Sequence, residues 1–189
     1  MTTTDTRTLT GIPGYVAGTW SIDPVHSEVG FTVRHMMVSK VRGRFRTFSG
    51  QIVTGASPLD SSVSAEIDLT SIDTGNEQRD GHIKSADFFE VETYPTMTYR
   101  STGVRADGDV YILDGKLTLK GVTRDVPLAL EINGFGPDAY GGTRVGFTAI
   151  GEINRRDFGV NFTAVMETGG AVVSDKITIQ LEIEAVLQP

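Results

Sequence analysis

The sequence predicts an all-β fold with one short helical insert: about eight antiparallel strands in up-and-down order, forming a barrel or a sandwich. Three observations predict it. Apolar and polar residues alternate with a period of two through most of the chain, the spacing of half-buried strands. The connections are of hairpin length and no βαβ rhythm appears. Glycine is frequent, 22 of 189 residues, and without a repeat, as suits a β protein with many turns, bulges and bends.

The elements follow in order. Residues 1–17 are polar and rich in threonine and read as a mobile arm, leaving 18–189 as a single domain. Strand pattern begins at Thr19, and Val29, Phe31, Val33 and His35 share one face. Lys40-Val41-Arg42-Gly43 reads as a turn, after which Arg44 to Thr54 returns. Phe45 and Phe48 stand three apart, which breaks the alternation and calls for a bulge. Asp60 to Asp68 is a third strand. Thr74 and Glu77 have capping-box spacing, so a short helix is expected over Asn76 to Ser85. Strands resume over Thr96 to Val104, turn at Asp107-Gly108, and continue over Val110 to Lys120. Asp125 to Phe135, Arg144 to Asn154 and Asp175 to Leu187 complete the count, with a glycine-rich loop from Gly134 to Gly142.

Composition excludes several functions. A net charge of −7 and a pI near 4.9 argue against nucleic-acid binding and against electrostatic docking on anionic membranes. Without cysteine there is no disulfide framework, thiol nucleophile or thiolate metal site. No apolar run of about 18 residues is present, so integral insertion is not expected. The start of the chain has no basic segment followed by an apolar run, and the expected location is the cytoplasm.

One segment stands apart from the strand pattern. From Arg79 to Pro95 the alternation gives way to an Arg-Asp pair, His82, the adjacent Phe88 and Phe89, and a Tyr-Pro stop. An antiparallel protein interrupted this way is expected to be building a lid or a ligand mouth. Its three histidines, His26, His35 and His82, are too widely spaced for a metal-binding pair on one element. Asp23-Pro24-Val25-His26-Ser27 suggests a triad, but a triad is a spatial arrangement, and no nucleophile elbow is present. The expectation is no catalytic residue, no metal and no cofactor. Arg79 and Asp80 suit an anionic head group or a tie to the helix. Ile153 to Val160, with Arg155, Asp157 and Phe158, reads as a turn or as a rim with an arginine facing a ligand.

Trp20-Ser21-Ile22-Asp23-Pro24-Val25-His26-Ser27, Gly43-Arg44-Phe45 with Phe48-Ser49-Gly50, and Ser71-Ile72-Asp73-Thr74 recur with Arg79-Asp80-Gly81-His82 through Phe89, Tyr94-Pro95, Gly115-Lys116-Leu117-Thr118 and Ile153 to Gly159. In this order they resemble the YceI-like family of polyisoprenoid-binding proteins, over residues 19–187. The resemblance implies an eight-stranded antiparallel lipocalin-like β-barrel. It implies a long-chain isoprenoid or similar lipid in the lumen, no enzymatic step, and a homodimer as a frequent assembly. On that basis the tail is expected among Phe31, Val33, Phe45, Phe88, Phe89, Phe147 and Phe158. Its head is expected near Arg79, His82 and Arg155, with His35 and Phe48 completing the set. Two other readings stay open: a hydrolase or isomerase of a lipophilic substrate using His26 or His82, and a filled barrel with a structural or interaction role.

Overall fold

The computed structural model describes residues 11–164 and 172–189. Its strands are β1 Gly18–Ile22, β2 Glu28–His35, β3 Ser39–Phe45, β4 Phe48–Thr54, β5 Ser62–Asp68, β6 Ile72–Asp73, β7 Thr96–Asp107, β8 Val110–Leu119, β9 Val122–Asp125, β10 Leu128–Pro137, β11 Thr143–Asn154 and β12 Val173–Leu187. One α-helix, α1 Glu77–Lys84, lies between β6 and β7. The twelve segments occupy eight positions of a closed antiparallel barrel. The pairs β1/β2, β3/β4, β5/β6 and β9/β10 are each two halves of one interrupted strand, and β7, β8, β11 and β12 are continuous. Neighbours in sequence are neighbours in the barrel. Closure comes from β12, which pairs with β11 on one side and with both β1 and β2 on the other.

The interruptions have local causes. Between β1 and β2 stands Pro24, which has no N–H for a ladder, and the Asp23 carboxylate accepts the Val25 N–H at 2.9 Å. Across this break Ser21 pairs with Gln51 and Val29 with Phe45. Eight residue steps on one strand therefore face six on the other, a slip of two. The bulge expected between Phe45 and Phe48 is in fact the break between β3 and β4, at Arg46-Thr47 on the facing strand.

Two other expectations change. Lys40 to Gly43 is not a turn but the middle of β3; the reversal lies at Met36-Met37-Val38. Gly43 is small for a different reason: it lies opposite Phe31, whose ring covers it. The capping box also does not form. Asn76 caps α1, its side chain accepting the Arg79 N–H at 2.9 Å, and Thr74 is engaged elsewhere.

Two buried clusters hold the barrel. The larger centres on Leu69, Leu117, Val126, Leu128 and Phe158; the smaller on Trp20, Ile52, Val145, Phe147 and Ala185. Trp20 is fully buried, and its indole N–H donates to Thr54 Oγ1 at 2.9 Å, which removes the cost of an unpaired buried donor. Residues 1–10 of the expected arm lie outside the described residues. The rest of it is docked at Tyr15, which is buried and donates its hydroxyl to the Gly55 carbonyl at 2.7 Å. No helix among the described residues is long and apolar enough to cross a membrane.

Candidate ligand-binding cavity

Alternation along each strand sends every second side chain into the lumen. There the side chains pack along the walls without filling the centre. A cavity of about 460 Å³ is left along the barrel, within the ~300 to 1,000 Å³ of small-molecule sites. Its lining mixes the rings of Phe31, Phe45, Phe48 and Phe147 with smaller side chains such as Val33, Val63, Ala65 and Ala149.

One end is shut by aromatic packing. Phe135 lies 5.2 Å from the Tyr15 ring and 5.5 Å from Trp20, the latter edge-on. Thr54 Oγ1 donates to the Val16 carbonyl at 2.7 Å and ties the incoming chain across this end. Burial raises the Tyr15 phenol above its ordinary pKa, which keeps it a neutral donor.

The other end carries the arginines and histidines of the lining. Arg79 Nε donates to Thr74 Oγ1 at 2.8 Å and its terminal nitrogen to the Thr74 carbonyl at 2.7 Å, while Asp80 accepts the Thr74 N–H at 3.0 Å. The neighbouring Arg79 and Asp80 thus grip one threonine instead of each other. His82 Nε2 lies 2.8 Å from Asp87, and its ring meets Phe88 at 5.1 Å and Phe162 at 4.9 Å, both edge-on. His82 is exposed and also lines the cavity, so this end reaches solvent. The insert is pinned under it: Phe89 N–H donates to Ile83 O and Val91 N–H to Lys84 O, each at 3.0 Å. Phe89 then reaches Phe45 at 6.2 Å between ring centres.

Phe31, Val33, His35, Phe45, Phe48, Arg79, His82, Phe88, Phe89, Phe147 and Arg155 all line this cavity. Phe158 does not. Strand β11 ends at Asn154, and a 3-10 turn over Arg155–Phe158 packs Phe158 into the core at 1% exposure, beyond the lumen wall. Arg155 lines the cavity but is 3% exposed and saturated. Its Nε donates to Ser174 O at 3.1 Å, and Nη1 to Val160 O at 2.9 Å and Phe162 O at 2.6 Å. Nη2 meets Val173 O at 3.4 Å and Asp175 at 3.3 Å. Four of the five guanidinium N–H groups thus meet backbone carbonyls, and Asp175 pairs the charge. Burial lowers its pKa and the Asp175 charge opposes that shift. Phe162, only counted among the phenylalanines from sequence, belongs to the site; its partner Phe88 is 5.2 Å away in space but far along the chain.

The triad suggested by Asp23, His26 and Ser27 is not assembled. His26 Nδ1 does lie 2.7 Å from Asp23, but Ser27 Oγ donates to the Glu184 carbonyl at 3.1 Å and accepts its N–H at 2.9 Å. Asp23, His26 and Glu184 bring three potential metal donors within 4.8 Å of one another. The cation there is Arg144, whose Nη1 lies 2.8 Å from Asp23 and 2.9 Å from Glu184. This pairing, and then His26, hold the Asp23 carboxyl well below the usual carboxylate range and push Arg144 above its ordinary value.

Comparison with known proteins places this architecture. The family model described as the YceI-like domain matches residues 20–185. Protein YceI of Escherichia coli O157:H7 is 36% identical over 176 residues, covering 92% of this chain and 89% of its own length. Among solved structures, BcnA of Burkholderia cenocepacia superposes with a TM-score of 0.75 at 26% identity, covering 86% of this chain and 98% of that one. A polyisoprenoid binding domain from Saccharophagus degradans shares the fold, with a TM-score of 0.67 at 18% identity over 92% of this chain and 100% of that one. The chain belongs to the YceI-like family.

Proposed function

We propose that the chain binds a long-chain isoprenoid or similar amphiphilic lipid in the lumen, and carries or sequesters it without changing it chemically. The observation that carries this reading is the cavity of about 460 Å³, apolar along its walls and polar at one end. A tail lies among Phe31, Val33, Phe45, Phe88, Phe89 and Phe147, and a head near Arg79 and His82. Arg79 Nη1 makes no hydrogen bond or ion pair among the described residues, so it has donors to offer. The Arg79 to Pro95 insert is the lid. Family membership and the name of the Saccharophagus domain favour the same ligand class.

Magnitudes are consistent with useful affinity. Burying ten methylenes contributes about 8 kcal/mol, a micromolar dissociation constant before the cost of ordering the tail. The test is calorimetric titration of delipidated protein with a polyprenol. Wild type is expected to bind, and Val33→Trp, which fills the lumen from its wall, to bind at least tenfold more weakly. Equal binding by both would place the ligand outside the lumen and overturn the reading.

A further inference from the structure

The tip of the β2–β3 hairpin presents apolar side chains to solvent. Met36, Met37 and Val38 are 42%, 59% and 84% exposed. They stand at the polar end of the lumen, beside the wall residues His35, Val41 and Val172, and the Met36 N–H donates to Val172 O at 2.8 Å. Met36 and Met37 have φ of 52° and 61°, and the Val38 N–H closes the turn on His35 O at 3.2 Å. Two consecutive positive-φ positions in a tight turn are ordinarily Asn-Gly or Gly-Gly, since a larger side chain resists that conformation. Methionine is not a residue the turn favours, and neither Met36 nor Met37 belongs to the buried clusters.

A second observation supplies the chemistry. Arg34 pairs in register with Lys40, one step behind the His35–Ser39 pair that closes the tip, and Arg42 pairs with Thr32 two steps farther back. All three cations are exposed, and none of their side chains makes a hydrogen bond or ion pair among the described residues. Arg44 and Arg46, farther along, are by contrast tied to Asp73. An apolar tip with a collar of unpaired cations stands out in a chain of net charge −7.

We propose that this tip, from Arg34 to Arg42, docks on the surface of an anionic lipid bilayer. Met36, Met37 and Val38 enter the boundary between head groups and acyl chains, and Arg34, Lys40 and Arg42 meet the lipid phosphates. The overall negative charge does not prevent this, because charges act over about 8 Å at physiological ionic strength and docking responds to the local patch. The polar end of the lumen then faces the membrane, where a lipid can pass between the two. That purpose rests on the lumen reading; the docking itself does not.

Co-sedimentation with phosphatidylcholine vesicles, with and without phosphatidylglycerol, tests it. Wild type is expected to bind the anionic vesicles at low salt and to release at high salt. M36N/M37G, which gives the turn the residues its φ angles favour, is expected to unfold at the same temperature or higher and to bind at least tenfold more weakly. K40Q/R42Q is expected to lose more than tenfold, at roughly fivefold per cation, on anionic vesicles only. Absence of wild-type binding, or undiminished binding by M36N/M37G, overturns the proposal. So does wild-type self-association that M36N/M37G abolishes without affecting vesicle binding, since the tip would then hold a second copy. Protein that binds vesicles but takes up no polyprenol overturns the lumen reading and leaves docking standing.

Discussion

The Phe31 ring rests on Gly43. The two are register partners across β2 and β3, and a Cβ on residue 43 would overlap the ring. Glycine is what lets a phenylalanine lie flat on the lumen wall at this pair. Gly43→Ala must swing the ring into the cavity or separate the strands. A loss of about 1 to 3 kcal/mol is expected, at ~2 to 4 °C of melting temperature per kcal/mol, together with weaker ligand uptake. Thermal unfolding and titration of one preparation check both.

Phe88 and Phe89 line the cavity, whereas Trp20 is sealed in the core. Trp20→Ala is expected to cost about 3 to 5 kcal/mol, the range for large core truncations. Phe88→Ala and Phe89→Ala should cost about 1 to 2 kcal/mol, below that range because the rings are only partly buried, yet weaken lipid binding strongly. Chemical denaturation beside a binding titration separates the two classes.

Arg155 gathers four backbone carbonyls and Asp175, so its role is to hold the 3-10 turn and the approach to β12 together. Lysine cannot reproduce five donors in a planar fork. Arg155→Lys keeps the charge but leaves buried carbonyls without donors, and is expected to destabilise by about 1 to 3 kcal/mol, measured by urea unfolding.

Asp23 gives the fold a dependence on acid. Arg144, and then His26, depress its carboxyl relative to the unfolded chain, so the pairing stabilises the protein above the ordinary carboxylate pKa of about 3.9 and is lost as pH falls. Asp23→Asn should cost about 1 to 2 kcal/mol at neutral pH, modest because the site is partly exposed. The gap between wild type and variant should begin to narrow below about pH 4, and close only as pH falls on through the depressed pKa of the folded state. Urea unfolding across pH reads this directly.

Much of the barrel is legible in the sequence because one face is buried: Val29, Phe31, Val33 and His35 alternate, and the same pairing rule places Val145, Phe147, Ala149 and Gly151 opposite Ala185, Ile183, Leu181 and Ile179. What escapes notice depends on contacts distant in sequence. Gly43 looks like a turn residue until Phe31 is seen above it, while the true turn at Met36-Met37 has no turn-forming residue to announce it. Thr74 looks like a helix cap, but Arg79 and Asp80 claim it and Asn76 takes its place. Arg155 reads as a rim cation because its acceptors are backbone carbonyls, which no sequence pattern displays. Phe162 joins the site only through folding against His82 and Phe88.

The central claim is that the lumen holds a lipid. Native mass spectrometry of protein purified from cells under mild conditions tests it most directly. The account predicts a second species heavier than the bare chain by the mass of one isoprenoid-like lipid, released on denaturation and absent from Val33→Trp. A single species at the mass of the bare chain, unchanged after incubation with polyprenol, would contradict it.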